Sequence, residues 1–185
     1  MLVTETDNTV VEQQGQVIAR WADELGPRLL RAAVVMCGNR EDAQDLVQET
    51  LLRALANLGR FRGDSTPYTW LYAILRRQCL NLRRKARFLD FLSLLPDRRD
   101  EAPSADQRMD IESKRGQLRN ALSKLSFRHR EILYLRYSEE FKVREIAALL
   151  RLPSGTVKSR LHTAGQALGK RLCREIGRAS CRERV

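Results

Sequence analysis

The sequence has few of the residues on which enzyme active sites and metal centres are most often built. Its 185 residues include two histidines, His129 and His162, and four widely spaced cysteines with no Cys-x-x-Cys pair. A zinc ribbon or a disulfide-rich secreted scaffold is therefore not expected. The His-Glu-x-x-His, Gly-x-Ser-x-Gly and Gly-rich phosphate-loop motifs are also missing. We expect a protein that is not an enzyme, with no catalytic residue, no metal, no cofactor and no small-molecule substrate.

Long apolar runs are scarce as well. The longest uncharged stretch near the middle, residues 65–75, is far shorter than the roughly 20 apolar residues of a membrane helix. Residues 1–14 are polar and acidic, which is unlike a signal peptide and predicts an N-terminal extension. We expect a protein of a reducing compartment without membrane insertion.

Basic residues are abundant and unevenly placed. Lys and Arg number 34 against 23 Asp and Glu, so the net charge is +11. A surplus of this size indicates a polyanionic partner, most often nucleic acid. Residues 76–87 hold six basic residues and no acidic one.

Apolar residues follow helical spacing through most of the chain, which predicts an all-α fold. Residues 93–112 contain two prolines and a cluster of acidic residues, a composition typical of a flexible linker. The linker separates two small helical domains, residues 15–92 and residues 113–176. Residues 177–185 break the helical pattern and are interpreted as a tail that is either native or a cloning scar.

The first domain has a helix from Asn39 to Leu58, with Asn39 as its N-cap and Asp42 completing the cap. A stripe on a face away from its apolar residues consists of Asp45, Gln48, Glu49 and Leu52. An acidic, partly apolar stripe on a basic protein suits a protein partner. A plain solvated face is an equal alternative, and a metal bound by Asp42 and Asp45 is a much weaker one.

The next helix begins at Pro67, capped by Ser65 or Thr66, with a predicted core side of Trp70, Leu71, Ile74, Leu75 and Leu82. Its aromatic residues precede the basic run. Rings interleaved with cations suit single-stranded nucleic acid, because unstacked bases pack on rings while cations follow the backbone. Core aromatics beside a solvated basic helix end are an equal alternative. A membrane-surface helix is a third, although the residues do not divide into two faces.

The second domain has four short predicted helices, near residues 114–124, 128–136, 143–150 and 155–174, with Ser126 capping the second. A tight turn from Arg151 to Ser154 joins the last two, and Ser154 is the predicted cap of the final helix. This layout is typical of a helix-turn-helix whose second helix enters the major groove of DNA. An ordinary helical hairpin is the alternative.

These features, in this order, resemble the sigma-70 family of bacterial transcription initiation factors. The resemblance is to the short extracytoplasmic-function (ECF) group, which keeps only regions two and four. The matching segments lie at residues 38–50, 61–64, 69–72, 125–131, 146–147 and 155–162.

The resemblance implies site residues and partners. It implies that Asp45, Gln48, Glu49 and Leu52 bind the beta-prime clamp helices of core RNA polymerase. It also implies that the minus-ten element is recognised and opened by Gly63, Asp64, Ser65, Thr66, Tyr68, Trp70, Arg76, Arg77 and Asn81. The residues implied to read the minus-thirty-five element are Ser154, Gly155, Thr156, Lys158, Ser159, Arg160, His162 and Thr163. The beta flap, promoter DNA and an anti-sigma factor are the other implied partners, in a bacterial cytoplasm and often in a stress response.

Two departures from the family pattern affect the last of these sites. Family members often carry arginines where this chain has Thr163 and Gly165, so contacts to the minus-thirty-five element are expected to shift toward Lys158 and His162. A stand-alone helix-turn-helix regulator remains the main alternative, but it leaves the Asp45 stripe and the Trp70 segment unexplained. A basic helical nuclease is a weaker one, because it needs a metal site.

Overall fold

The computed structural model describes the backbone of residues 5–93 and 114–182, and the side chains of residues 12–85 and 116–174. Within these ranges the regular structure is entirely helical, with no β-strand. The chain divides into two compact units, Met1–Ser93 and Leu94–Val185. The all-α prediction is confirmed. The predicted linker, apart from Ser93, falls outside the described residues.

The first unit is built from three helices, α1 (Glu5–Cys37), α2 (Arg40–Ala56) and α3 (Pro67–Ser93), each packed against the other two. Its core is mostly apolar, and its largest fully buried side chains are Leu29, Met36, Leu71, Tyr72 and Leu75. One buried polar contact crosses it, since Gln78 Nε2 on α3 donates to Thr50 Oγ1 on α2 at 3.0 Å. Thr50 Oγ1 in turn donates to the Leu46 carbonyl.

Three local predictions for this unit need correction. Helix α1 begins at Glu5, inside the predicted extension. Helix α2 ends at Ala56, because residues Leu58–Arg60 form a single 3-10 turn. Leu82, predicted to belong to the core side of α3, is 54% exposed because it lines an open cleft between α2 and α3.

The second unit contains α4 (Lys114–Ser123), α5 (Phe127–Leu133), α6 (Val143–Leu150) and α7 (Ser154–Arg182). Ser126 caps α5 as predicted, accepting from the His129 amide. The helix predicted to reach Arg136 ends earlier, at Leu133, and residues Tyr134–Ser138 form a π turn. Arg130, Glu131 and Glu139 are buried; Arg130 donates to the Ser123 carbonyl, and Glu139 accepts from the Tyr134 hydroxyl.

Helix α6 has the predicted bounds, and α7 is longer than predicted. The predicted break at residue 177 is wrong for the described backbone, because α7 continues to Arg182. Ser154 is the first residue of α7, and the carbonyl of the preceding Pro153 accepts from the Val157 amide. Ser154 therefore lies in the first turn of α7 and is not its N-cap, contrary to the sequence prediction.

Candidate protein-docking and nucleic-acid surfaces

The outer face of α2 presents the predicted acidic stripe. Asp45, Gln48, Glu49 and Leu52 are all exposed, Leu52 by 63%. The opposite face is buried at Ala43, Leu46, Val47, Thr50 and Ala54. The helical repeat thus fixes the stripe outward, because the buried residues recur at spacings of three and four and occupy one side of the helix. A large apolar side chain among carboxylates is a combination that suits a protein surface.

The start of α2 is fixed by a local hydrogen-bond pair. Asn39 Oδ1 accepts from the Asp42 amide at 2.8 Å, and Asn39 Nδ2 donates to Asp42 Oδ2 at 2.7 Å. The predicted N-cap is confirmed, with Asp42 bonded to the cap side chain. No group of three or more His, Cys, Asp and Glu residues in the described ranges could hold a metal ion.

The loop before α3 holds the second set of predicted residues. Gly63 has φ +78°, a left-handed conformation that glycine adopts without strain. Thr66 caps α3, since its Oγ1 accepts from the Thr69 amide at 3.2 Å. Gly63, Asp64 and Thr66 are exposed and Ser65 is half-buried. The cap fixes the loop at its α3 end and leaves its polar groups at the surface.

Aromatic packing ties this loop to α1 and α3. Trp70 on α3 packs against Phe61 with ring centroids 5.2 Å apart and against Trp21 on α1 at 6.2 Å. Trp21 and Phe61 meet edge to face at 5.3 Å. Trp21 is buried, whereas Trp70 and Phe61 are half-buried. The Trp70 ring therefore packs inward with one part left at the surface.

Tyr68 lies in the core, where the sequence predicted a ring offered to nucleic acid. It is 3% exposed, and the Arg28 guanidinium lies 3.7 Å from its ring centroid. This cation–π contact and the burial occupy the ring face. Tyr68 and the fully buried Tyr72 are therefore core aromatics, which was the alternative to rings exposed for nucleic acid.

The basic run of α3 lies further along the helix and is largely exposed. Arg77, Asn81, Arg84 and Lys85 are exposed, while Arg76 and Arg83 are half-buried. Four of these six residues are thus exposed, whereas Leu75, Gln78 and Cys79 of the same segment are buried. The arrangement suits attraction of a nucleic-acid backbone.

The α6–α7 pair has the geometry of a helix-turn-helix. Arg151 adopts the left-handed conformation, with φ 54° and ψ 53°. The Leu152 and Arg151 amides donate back to the carbonyls of Ala147 and Ala148, the pattern of a Schellman motif that ends α6 sharply. Val157 and Ala164 on α7 are fully buried. These two residues lie about two turns apart on one helix face, and they pack the first part of α7 into the core of the unit.

The predicted reading residues lie on the outer side of α7. Ser154, Gly155, Lys158, Ser159, His162 and Thr163 are exposed, and Thr156 and Arg160 are half-buried. The hydroxyls of Ser159 and Thr163 donate to the carbonyls of Thr156 and Ser159. Their remaining lone pairs can therefore accept hydrogen bonds from outside the helix. The side-chain amide of Gln166 donates to His162 Nε2 at 3.0 Å.

Two family models match the two units. The model for Sigma-70 region 2 matches residues 21–88, and the model for Sigma-70 region 4 matches residues 115–168. The chain belongs to the sigma-70 family.

Relatives and a solved structure agree with this assignment. The ECF RNA polymerase sigma factor SigL of Mycobacterium tuberculosis is 33% identical over 147 residues, covering 79% of this chain and 83% of SigL. SigV of Bacillus subtilis is 31% identical, covering 78% of this chain and 84% of SigV. The structure of the sigma factor RpoE in complex with the anti-sigma factor NepR from Bartonella quintana matches with a TM-score of 0.66 at 26% identity, over 83% of this chain and 96% of that one.

The protein is an RNA polymerase sigma factor of the ECF type, and its two units are regions two and four. As a sigma factor it belongs to a class of DNA-binding initiation factors that are not, in general, enzymes. The stand-alone regulator is not favoured. No described helix combines the length and apolarity needed to span a membrane.

Sequence reasoning missed two residues that shape region two. Trp21 closes the aromatic cluster, and Arg28 covers Tyr68. Both lie on α1, far from the motif residues in the sequence. Trp21 is three residues from the buried Ile18. This helical spacing would have placed Trp21 on the core face of α1. Nothing local to Arg28 marks it as the partner of Tyr68.

Proposed function

We propose that this sigma factor binds core RNA polymerase through the α2 stripe and opens promoters with the loop and basic segment around α3. In this proposal α7 reads an upstream promoter element in the major groove. The observation that carries the proposal is the exposed acidic stripe on a protein of charge +11. Such a surface would repel DNA, so it suits a protein partner.

The docking step rests on the placement of Asp45, Gln48, Glu49 and Leu52. The stripe is contiguous, lies on one rigid helix, and joins two carboxylates to a large exposed apolar group. The beta-prime clamp helices of the polymerase are the proposed partner, as the family resemblance implies. The carboxylates would steer the encounter with basic groups, and Leu52 would supply apolar burial at the contact.

The opening step rests on region two residues outside the core. The Gly63–Thr66 loop directly precedes α3, Trp70 is half-buried near the start of that helix, and Arg77 and Asn81 are exposed further along it. Capturing one strand requires unstacking a base, which costs a few kcal/mol. Polar loop groups and a ring edge that hold an extruded base, with arginines on the backbone, would offset that cost. Tyr68 would act by supporting Trp70 and the helix from within.

The reading step rests on the first turns of α7. Lys158 and His162 are exposed on the same helix face, because they are four residues apart. Lys158 can donate to guanine acceptors, and the hydroxyls of Ser159 and Thr163 can accept from adenine or cytosine amino groups. Arg160, and Ser154 with Gly155 at the helix start, are placed to contact phosphates.

Regulation and location follow from the same family. We propose that the protein acts in the bacterial cytoplasm, has no catalytic activity of its own, and contacts the beta flap through region four. The neighbour structure contains an anti-sigma factor bound to RpoE, which supports an anti-sigma partner here as well.

Core binding tests the docking step. We expect the double variant Asp45→Ala, Glu49→Ala to bind core polymerase about ten-fold more weakly, equivalent to roughly 1.4 kcal/mol. The Glu49–Arg53 pair is exposed, with 2.6 Å between Glu49 Oε1 and Arg53 Nε, so its loss changes stability by less than about 1 kcal/mol. Glu24→Ala, an exposed carboxylate on α1, is the matched control. Equal affinity of the double variant and wild type would overturn the docking proposal.

Strand opening tests the role of the α3 surface. We expect Arg77→Ala to reduce promoter opening by roughly ten-fold while changing duplex binding by only about two-fold. Permanganate reactivity of unpaired thymines measures opening, and gel-shift titration of holoenzyme measures binding. Arg31→Ala, an exposed arginine on α1, is the control. An equal loss of opening and binding would reduce Arg77 to a simple phosphate contact.

A further inference from the structure

Two cysteines from distant parts of region two meet between α1 and α3. Cys37 is the last residue of α1 and is half-buried, whereas Cys79, near the middle of α3, is 2% exposed. Both are free thiols, and their side chains are in hydrogen-bonding contact. Neither residue has a part in the docking, opening or reading steps.

The thiol pair opens onto a cleft that solutes can enter. A cavity of about 670 Å³ is lined by both cysteines together with Met36 and Gln78. Its lining also includes Asp42 and Asp45 from α2 and Arg83 from α3. Both cysteines line the cleft and Cys37 is the more exposed of the two, so a small oxidant can reach the pair through the cleft.

We propose that Cys37 and Cys79 form an oxidisable dithiol whose disulfide bond cross-links α1 to α3. With hydrogen peroxide as the oxidant, one sulfur of the pair attacks a peroxide oxygen as its thiolate. The O–O bond breaks, that cysteine becomes a sulfenic acid, and the leaving hydroxide takes a proton to form water. The second sulfur of the pair then attacks the sulfenic sulfur, and a second water leaves as the S–S bond forms. The two thiols lose two electrons and two protons, and the peroxide is reduced to water.

The surroundings of Cys37 predict how this reaction depends on pH. The hydrogen bond to Cys79, burial, the Cys79 charge and Asp42 raise the pKa of Cys37 well above its usual range, while Arg83 opposes them. The thiol is therefore mostly protonated at neutral pH, and the thiolate is the reacting form. Oxidation should therefore be slow at neutral pH and faster at higher pH, where more of the thiolate forms.

The bond should stabilise region two alone. Cys37 directly precedes Gly38, whose φ is +93°, and Asn39, the N-cap of α2. A cross-link at this point fixes the α1–α2 turn to α3 and removes chain entropy from the unfolded state. We expect the melting temperature of region two to rise by roughly 10 °C, with slower amide exchange in 30–85 and unchanged exchange in 116–174.

The test uses the full chain with Cys173→Ser and Cys181→Ser, so that only the pair remains. Hydrogen peroxide treatment should consume both thiols and yield one cross-linked peptide, lighter by two hydrogen atoms and reversed by dithiothreitol. The matched control adds Cys37→Ser, at a half-buried position, and should give no cross-link. Intermolecular dimers only, or Cys37 oxidised to sulfinic acid with Cys79 still free, would overturn the proposal. None of these readouts depends on polymerase binding.

Discussion

Regions two and four place the residues of their proposed sites differently relative to their cores. In region two, Tyr68 and Trp70 of the predicted opening site pack among buried residues of α1 and α3. In region four, no predicted reading residue is buried, and α7 attaches through separate positions such as Val157 and Ala164. Variants of Tyr68 and Trp70 therefore mix folding with the proposed opening function, whereas variants of the exposed region-four residues separate folding from the proposed reading function.

The largest effect is expected for Trp70 in region two, where folding and the proposed function depend on the same side chain. Replacing Trp70 by Ala removes its contacts with Trp21 and Phe61 and should lower the free energy of unfolding of region two by about 3 kcal/mol. Urea denaturation followed by circular dichroism measures the loss. Trp70→Phe keeps an aromatic ring and should lose less than half as much. A Trp70→Ala variant as stable as wild type would show that the ring serves recognition alone.

An intermediate effect is expected in region four, on specificity and not on folding. Lys158→Ala should reduce discrimination between promoter variants by about 1–2 kcal/mol, while stability stays within about 0.5 kcal/mol because Lys158 is exposed. Binding to a set of single-base promoter variants measures this change. A uniform loss across all sequences would make Lys158 a phosphate contact.

The smallest effect is expected for Gly169 in region four, where stability should change without a change in promoter preference. Gly169 is exposed within α7, and an alanine methyl group at this position would have no neighbouring atom within 4 Å. Gly169→Ala should stabilise region four by about 0.5–1 kcal/mol, since glycine weakens a helix interior. Thermal denaturation checks the gain, and promoter preference should not change. Lower stability would mean that this part of α7 is not held as a helix in solution.

The sequence was sufficient where structure is decided locally. Helical spacing predicted the α2 stripe, and capping chemistry predicted the roles of Asn39 and Ser126. Turn chemistry and periodicity predicted the bounds of α6. Each of these features depends on residues within one or two helical turns. Such residues are close in sequence, so their interactions can be predicted without knowing the tertiary fold.

The sequence was insufficient where distant segments decide exposure. Tyr68 is covered by Arg28 from α1, and Leu82 faces a cleft formed by α2 and α3. Their helical positions alone do not distinguish a core ring from a recognition ring. The proximity of Cys37 to Cys79 likewise arises from the packing of α1 on α3, which no local pattern predicts.

Transcription from a promoter library by core polymerase supplied with the full chain tests most directly whether docking and reading use separate surfaces. We expect Asp45→Ala, Glu49→Ala to lower initiation by one common factor at every start site, and a higher concentration of the variant to restore it. We expect Lys158→Ala instead to change the ranking of the promoters. A double variant that initiates as well as wild type at limiting concentration, or that reorders the promoters itself, would show that docking and reading do not use separate surfaces.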